Sequence, residues 1–528
     1  IPFFLIIALL AKNVIIYSAV SYYGPNQIAL LVAGGPAAAV GLFYKVPFGV
    51  MIKGIENAIG SALAAILILL MIGALAGTWM ISGVVPAMIY HGLDILNPQI
   101  FLVAAAVISA IVSIATGSSW STVATVGIAL LGIGTALDVS IPLTAGAIIS
   151  GAYFGDKISP LSDTTNLAAA MAETNLITHI KYMLWTTVPS FLIACGIYLV
   201  IGMNIESSGS VSDTQALKAV MVDQFDTLSP VLFLVPLAVL VMVVMKVDAL
   251  AALFVGTLLG ALFAVIFQPA MVTRISGLEE TDSYATRSYV ATVNAMAFES
   301  VQAISDDDVK VWSSELAELK LDAAREQTGN EELTWEQFVE SKQRLEKTFP
   351  KLEANIAAAK LLKGKGMQGM LNTIWLIVTA MCFGGIMEGT GLLKRITEPL
   401  ISLANSNGSL VATTAGTCLF VNATASDQYL SIVVPGRMYR EAYEDRDLAP
   451  ENLSRTLEDS GTVTSVLIPW NTCGAAQSTV LSVDTILYAP FCFFNWISPL
   501  MTIFFGFTGI GVRRRQLSDQ AQVVDSEK

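Results

Sequence analysis

Apolar runs of roughly 20 residues recur along this chain, and a helix of that length can cross about 30 Å of hydrocarbon. The chain has 528 residues, of which 54% are hydrophobic and only 13% are charged. Soluble domains carry about 25% charged residues. The runs do not show the weak alternation that is typical of outer-membrane barrel strands. The sequence therefore predicts an all-α polytopic membrane protein.

Hydropathy places the predicted spans along the whole chain. They lie near residues 2–20, 26–44, 59–82, 182–203, 229–245, 249–268, 368–389 and 486–511. Residues 99–137 are also apolar, but this run is too long for one crossing and has a polar interruption at 116–122. It forms either a re-entrant hairpin or two crossings that meet at the interruption. We predict about 10–13 transmembrane segments, some of them broken.

Charge is concentrated in one stretch of the chain. Residues 273–366 hold 17 of the 42 acidic residues and 12 of the 29 basic ones. The acidic triplet at 306–308 is typical of a helix start, and apolar residues follow it at helical spacing. Thr334 and Gln337 fit a capping box for a second amphipathic helix. We predict a soluble helical insert that forms a hairpin on the membrane face, with a regulatory or partner-binding role as the alternative.

The most informative polar interruption is GAYFGDKISPLSDTTN at 151–166. Pro160 prevents a continuous helix, because proline has no N–H and its ring clashes with the preceding turn. Gly151 and Gly155 allow another backbone to approach closely. A bilayer tolerates an interrupted helix only where the freed backbone is buried in protein or lines a water-filled cavity. Carboxylates at that depth, here Asp156 and Asp163, mark ion or proton pathways. This stretch therefore indicates the ion-handling part of a membrane transporter.

Two similar interruptions in the second half of the chain indicate an internal repeat. Paired breaks at matching places in two halves are the best sequence pointer to a binding site at the membrane midplane. We therefore divide the chain into a membrane half at 1–272 with breaks at 116–122 and 155–166, a soluble insert at 273–366, and a membrane half at 367–528 with breaks at 422–428 and 461–474. An odd number of crossings in each half would make the repeats inverted.

The breaks can be aligned between the two halves. Placing Pro469 on Pro160 sets Asn471 and Thr472 beside Ser162 and Asp163. Placing Ser426 on Ser119 sets Asp427 beside Trp120. The identities are few, and chance similarity between breaks rich in Gly, Ser and Pro remains an alternative.

Four sequence blocks together resemble a known family. The run GAYFGDKISPLSDTTNL at 151–167 is similar to the signature of the NhaC family of sodium/proton antiporters. TGSSWST at 116–122, LSRTLEDSGT at 453–462 and IPWNT at 468–472 resemble further blocks of that family. The insert at 273–366 shows no such resemblance. The resemblance implies exchange of sodium for protons, inverted repeats, helical hairpins that enter the membrane, and an alternating-access motion.

A sodium ion prefers hard oxygen ligands. We expect Asp163 to be the carboxylate that sodium and a proton occupy in turn, with Asp156 second and Asp427 the leading acid of the other half. Burial disfavours the charged form of a carboxylate, so the acid holds a proton until sodium displaces it. Dicarboxylate-carrier relatives bind sodium and the substrate carboxylate at a Ser-Asn-Thr tip. The similar position here reads Ser162-Asp163-Thr164, which suits a bare cation better than an anion.

The candidate site residues carry oxygen atoms at or near the breaks. The cation- and proton-binding candidates are Asp163, Asp156, Ser159, Ser162, Thr164, Asn166, Asp427, Ser426, Asn422, Asn471 and Thr472, with sodium itself at Asp163, Ser162 and Thr164. The pathway-lining candidates are Ser118, Ser119, Trp120, Trp470 and Lys157. Four structural alternatives stay open. Asp156 forms a salt bridge to Lys157 or contacts another structural partner, and Asp427 is a hydrogen-bonded interface residue. The tryptophans pack in the interior, and Glu458 and Asp459 cap a helix.

Secondary active sodium/proton exchange is the leading function. The alternative is sodium- or proton-coupled transport of a small organic acid or amino acid, of the malate/lactate type. An anionic substrate would need a buried base, and Lys157 is the one candidate beside a break. A membrane sensor or enzyme is a distant alternative, because no histidine lies near the serines in the sequence and no nucleophile-elbow pattern is present. We expect no enzymatic activity, no metal-ligand spacing and no cofactor beyond the transported ions.

The expected partners are membrane lipid, Na⁺ and H⁺, with a small organic solute and a homodimer left open. No basic cluster indicates nucleic acid. Arg437, Arg440 and Arg446 lie in one loop, and the triplet 513–515 follows the last span. Basic residues next to spans favour the cytoplasmic side. We therefore expect a multi-pass protein of the cell (inner) membrane with a cytoplasmic C-terminus.

Overall fold

The computed structural model describes most of the two membrane halves. The described residues are 2–17, 24–95, 97–205, 211–245, 247–279, 281–298, 301–302, 306–328 and 366–515, with 334–335, 352, 355–356, 358–359 and 363–364. The capping box predicted for the second helix of the insert includes Gln337 and lies outside these residues.

The N-terminal part of the chain is helical through most of its described residues. Its helices are α1 (Pro2–Tyr17), α2 (Pro25–Phe43), α3 (Phe48–Ile81), α4 (Val84–Ile95), α5 (Pro98–Thr116), α6 (Ser119–Ala136), α7 (Ile141–Ile158), α8 (Asp163–Met171), α9 (Leu176–Met203), α10 (Val211–Gln224), α11 (Leu234–Val244) and α12 (Ala249–Phe267). Residues Val123–Gly127 form a π-helical turn inside α6.

The remaining helices follow the same pattern. They are α13 (Pro269–Ser276), α14 (Tyr284–Ala297), α15 (Asp306–Thr328), α16 (Leu371–Gly389), α17 (Leu392–Ile401), α18 (Asn407–Thr424), α19 (Leu430–Glu444), α20 (Pro450–Leu457), α21 (Thr472–Leu481), α22 (Thr485–Tyr488) and α23 (Phe493–Thr508). A π-helical turn, Glu458–Thr462, continues α20. Two short strands, Val301–Gln302 and Lys363–Gly364, pair antiparallel.

The all-α polytopic fold class predicted from the sequence is confirmed. Within the described residues, seven helices are long and apolar enough to cross a membrane, and the bent pair Thr485–Phe491 and Phe493–Thr508 makes up to eight. The sequence estimate of 10–13 is higher because it also counts broken segments. Helices α7 and α18 are each 18 residues long, but their polar residues keep them out of the apolar set.

Glycines let helices from the two halves of the chain cross at close range. A Cβ atom on Gly385 of α16 would lie 2.7 Å from the carbonyl oxygen of Gly54 in α3, so a side chain there would clash with backbone. Further along α3, Gly77 lies against Ala295 of α14 in the same way. Small residues permit such packing between helices in lipid, where no hydrophobic effect drives association. Helix α3 therefore contacts both α16 and the first part of the insert.

The crossing of α5 and α7 positions the break that the sequence singled out. Gly151 and Gly155 of α7 face the backbone of α5, and a Cβ on Gly155 would lie 2.6 Å from the Cβ of Ser113. The hydroxyl of Ser113 donates to the carbonyl oxygen of Ala152 at 2.6 Å. The close approach predicted for these glycines is confirmed. It holds the C-terminal end of α7 beside the break between α5 and α6.

The same order of elements surrounds the breaks in both halves. The order in the first half is α5, a break, α6, α7, a break, α8 and α9. The order in the second half is α18, a break, α19, α20, a break, α21 and the α22–α23 pair. Pro160 and Pro469 each lie two residues before a helix N-cap, Ser162 and Asn471. The alignment made through these prolines therefore matches the structure.

The alignment made through Ser426 and Ser119 is wrong by two residues. Ser426 has a left-handed φ of 60° and matches Gly117, whose φ is 66°. The next residue in each half caps a helix through the N–H three positions later, Ser118 in one half and Asp427 in the other. Each break thus has a residue that reverses the chain, followed by a residue that starts the next helix.

The C-terminal segment packs against the loop after α19. The N–H of Ala449 donates to the carbonyl oxygen of Arg513 at 3.1 Å, and the N–H of Arg515 donates to that of Asp447 at 2.9 Å. The basic triplet 513–515 and the loop that begins after Glu444 therefore lie on the same side of the protein.

Candidate cation site

All four breaks contribute to one cavity of about 300 Å³. Its wall includes residues 116–120 and 161–164 from the first half, and residues 427–429 with Thr472 from the second. Helix α3 and the connection between α11 and α12 close the remaining sides. The sequence predicted that the breaks converge, and the structure brings them together.

Asp156 is the buried carboxylate of this cavity, with 6% of its surface exposed. Its Oδ2 atom accepts hydrogen bonds from the N–H of Ser119 at 3.1 Å and from the Ser119 hydroxyl at 2.7 Å. Ser119 is the first residue of α6, and a helix N-terminus stabilises negative charge. The contact joins the end of α7 to the start of α6. The structural alternative for Asp156 was a salt bridge to Lys157 or another structural partner. Lys157 pairs with Asp459 instead, and Ser119 is such a structural partner.

Asp163 lines the same cavity, but its side chain is exposed. It follows the N-cap Ser162 as the first residue of α8, whereas Asp156 lies on a packed face of α7. Asp163 is therefore more exposed than Asp156 and Asp427, which are 6% and 2% exposed. The expectation that sodium and a proton occupy Asp163 in turn stays a prediction.

Asp248 is a further acid of the wall that the sequence analysis missed. It caps α12, because its Oδ1 accepts the N–H of Leu250 at 2.9 Å, and its side chain is exposed. An aspartate directly before an apolar run is a helix-start signal, and that signal could have found it. With Asp163, it makes the open side of the cavity negatively charged.

The tip between α7 and α8 divides its polar residues between the cavity and its own backbone. Ser162 and Thr164 line the cavity, and their hydroxyl oxygens are 3.1 Å apart. Ser159 donates its hydroxyl to the carbonyl oxygen of Ile114 at 2.9 Å. Asn166 donates its amide to the carbonyl oxygen of Ser162 at 2.7 Å. Ser159 and Asn166, predicted as ligands, stabilise the tip and do not line the cavity.

In the second half, Asp427 and Thr472 line the cavity. The N–H of Thr472 donates to the carbonyl oxygen of Ser426 at 3.0 Å, which joins the two breaks of this half. Asn471 donates its amide to Oδ1 of Asn422 at 3.0 Å. Ser426, Asn422 and Asn471 were predicted as ligands, but their place is behind the wall, where Asn422 and Asn471 hold the breaks together.

The pathway-lining candidates also divide into two groups. Ser118, Ser119 and Trp120 lie in the cavity wall. Trp470 does not, and its indole N–H donates to the carbonyl oxygen of Ala423 at 2.8 Å. Interior packing, the alternative for the tryptophans, therefore holds for Trp470.

Lys157 points away from the cavity into a buried ion pair with Asp459, and both side chains are 0% exposed. Ser498 contacts both partners, at 3.0 Å from the Lys157 ammonium and 3.1 Å from Asp459 Oδ1. Thr186 donates to the other Asp459 oxygen at 2.8 Å. The prediction that Lys157 lines a pathway is wrong. So is the prediction that Asp459 and its neighbour Glu458 cap a helix start, because both are buried in the π-helical turn after α20.

Four helix N-termini meet at the cavity, those of α6, α8, α19 and α21. Helix N-termini carry positive partial charge, and acids stand at three of them: Asp156, Asp163 and Asp427. Among the described residues of the wall, none is a lysine, arginine or histidine. Lys246, two positions before Asp248, lies outside the described residues. The charged side chains of the described wall are therefore all acidic.

The cavity where the breaks meet is lined by acids and hydroxyls. It lies in a protein that has two pairs of broken helices among helices long enough to cross a membrane. These features define a secondary ion transporter. Comparison with known proteins then shows the family. Residues 151–279 and 347–510 match the family described as the Na⁺/H⁺ antiporter family, and the chain belongs to it. The resemblance to NhaC seen in the sequence blocks is confirmed by the relatives.

Three relatives illustrate the range of this similarity. The chain is 34% identical to the Na(+)/H(+) antiporter NhaC of Alkalihalophilus pseudofirmus, over 93% of this chain and 91% of that protein. It is 30% identical to the malate-2H(+)/Na(+)-lactate antiporter of Bacillus subtilis, over 92% and 90% of the two chains. It is 32% identical to the arginine/ornithine antiporter ArcD of Halobacterium salinarum, over 87% and 81%.

Proposed function

We propose that this protein exchanges sodium for protons, and that Asp156 is the carboxylate that the two ions occupy in turn. The observation that carries the proposal is the burial of Asp156 in the wall of the cavity where the four breaks meet. The family and the relative NhaC support the choice of ions.

The coupling follows from competition at one group. Burial favours the protonated form of Asp156 when no cation is present. A sodium ion beside it gains a charged oxygen ligand, and the hydroxyls of Ser162 and Thr164 in the same wall add neutral ones. Sodium therefore displaces the proton, and a proton displaces sodium. No separate proton pathway is required.

The exposed acids have a different role in this proposal. Asp163 and Asp248 raise the local concentration of cations at the open side of the cavity, as clefts lined by one sign of charge do. They gather sodium without being the group that exchanges the proton. Asp427 belongs to the second membrane half and caps α19. It adds negative potential to the cavity from that half.

The two membrane halves, 1–272 and 367–528, act in this account as inverted repeats, with 273–366 as an insert between them. Repeats of opposite orientation would present the cavity to each side of the membrane in turn. The matching order of helices and breaks in the two halves supports this arrangement. We place the protein in the cell (inner) membrane with its C-terminus in the cytoplasm. It needs no cofactor beyond the ions, and its chemistry is transport without an enzymatic step.

Purified protein in liposomes with defined sodium and pH gradients tests the proposal. Sodium should drive proton movement in the absence of any organic solute, and Asp156→Asn should abolish it. Asp445→Asn, an exposed acid away from the cavity wall, is the matched control and should exchange normally. Normal exchange by Asp156→Asn would remove this residue from the mechanism.

A second candidate function is favoured by the four helix N-termini at the cavity. Such ends bind carboxylates, so a small organic acid or amino acid could enter together with a cation. The malate/lactate and arginine/ornithine relatives support this candidate. Against it stands the acidic wall, in which no described residue is basic. A strict need for an organic solute in the liposome assay would favour this second function.

A further inference from the structure

A second cavity adjoins the cation cavity. It has a volume of about 230 Å³ and lies between α5 and α6 on one side and α11 and α12 on the other. Val243, Ala249 and Thr116 belong to both walls, so the two cavities share a boundary. We call this second cavity the fissure. Apart from a few hydroxyls, its described wall is formed by aliphatic residues, including Leu240 and Val239.

The cation cavity is larger than a sodium ion requires. Its volume of about 300 Å³ is far above the roughly 10–15 Å³ that a cavity needs to hold one water molecule. Trp120 and Tyr429 belong to the same wall as Asp156 and Asp163, so two aromatic residues line the cavity. Aromatic rings beside negative charge are the environment that recognises quaternary ammonium groups.

We propose that this protein also binds an organic cation with a quaternary ammonium head and an apolar arm. The head occupies the cation cavity, between the acids and the rings of Trp120 and Tyr429. The arm occupies the fissure beside Leu240. Such a molecule excludes sodium from Asp156 and therefore competes with it. The inference rests on the proposed function to the extent that head and sodium share one site.

The physical basis is complementarity at both ends of the ligand. The described wall of the cation cavity has acidic and no basic side chains, so it attracts a permanent cation. The fissure offers an apolar surface that shares Thr116, Val243 and Ala249 with that cavity. Each buried methylene should tighten binding about fourfold until the fissure is filled. An inorganic cation uses the first property only. The fissure therefore gives organic cations a gain in affinity that sodium lacks.

The test uses alkyltrimethylammonium ions with methyl, butyl and hexyl arms. These ions carry no titratable proton, so they cannot collapse the pH gradient of the liposomes. We expect the apparent KM for sodium to rise with their concentration while the maximal rate stays constant. Each added methylene should lower the inhibition constant about fourfold until the fissure is filled.

Two matched variants separate the fissure from general partitioning into lipid. Leu240→Trp fills the fissure and should remove most of the dependence on arm length while sodium exchange continues. Leu234→Trp, on the same helix but exposed and outside the fissure wall, should behave as the unmodified protein. A dependence on arm length that is equal in both variants would overturn the proposal. So would inhibition that does not change with arm length, which is the result expected if a lipid acyl chain fills the fissure.

Direct binding distinguishes failure of this proposal from failure of the proposed function. Calorimetric titration of the detergent-purified protein with the hexyl compound measures binding without any flux. Binding that sodium displaces supports the shared site, even in a preparation that moves no protons. Normal sodium/proton exchange together with no binding of the hexyl compound would contradict the inference alone.

Discussion

Removing the charge of Lys157 should destabilise the protein strongly, because its partner Asp459 is 0% exposed and would remain buried without a counter-charge. Breaking a buried ion pair from one side costs about 3–5 kcal/mol. In Lys157→Met the hydroxyls of Thr186 and Ser498 still contact Asp459, so we expect the lower part of that range. The removed partner comes from α7 and the remaining one from the turn after α20, so the loss weakens the contact between the two halves.

The double variant Lys157→Met with Asp459→Leu tests the cause. Replacing both charges by apolar groups of similar volume is often neutral or stabilising by about 1–4 kcal/mol. We therefore expect the double variant to recover most of the stability lost in the single one. Thermal unfolding of the detergent-purified protein, followed by circular dichroism, measures both. Equal instability of the single and double variants would refute the reasoning.

A surface pair provides the control for this experiment. Lys53 and Glu56 are 3.1 Å apart, and their side chains are 69% and 57% exposed. Exposed pairs contribute about 0–1 kcal/mol. Lys53→Met should therefore leave the unfolding midpoint almost unchanged, whereas Lys157→Met lowers it clearly.

Three further predictions follow from the site and its supports. Protons compete with sodium for Asp156, so the apparent KM for sodium should fall as pH rises, by about tenfold per unit while the site is mostly protonated; a KM independent of pH would contradict competition. Gly155→Leu should prevent folding or exchange, because its side chain would meet α5. Gly196→Leu should be tolerated, because a Cβ atom there meets no atom of another described helix within 4 Å. Expression and flux measure both. Asn471→Ala removes a helix cap worth about 1 kcal/mol and a hydrogen bond between two breaks. It should slow sodium/proton exchange while Asp156 still binds sodium. An unchanged exchange rate would show that this cap is dispensable.

Local sequence rules predicted the helices and the breaks well. Pro160 and Pro469 interrupt helices for covalent reasons that hold in any surrounding, so their equivalence could be read directly. The second pair of breaks was misaligned because its shared feature is a backbone angle. Ser426 adopts the left-handed conformation that Gly117 also adopts. A serine in a sequence does not indicate that conformation, because glycine is the residue that usually adopts it.

The assignment of individual acids could not be predicted in the same way. Asp156 and Asp163 are seven positions apart in one motif, and their burial depends on which helix packs beside each. Only the contact with Ser119, 37 residues away, identifies Asp156 as the buried one. The pair of Lys157 and Asp459 spans 302 residues and joins the two halves, so neither sequence context indicated it.

Proton release on sodium binding shows whether sodium and a proton exchange at Asp156. Sodium is added to the detergent-purified protein in weakly buffered solution, and a pH dye reports the protons released. We expect the unmodified protein and Asp445→Asn to acidify the solution, and Asp156→Asn to leave its pH unchanged. Equal acidification by Asp156→Asn, or sodium binding to the unmodified protein without any proton release, would contradict exchange at Asp156.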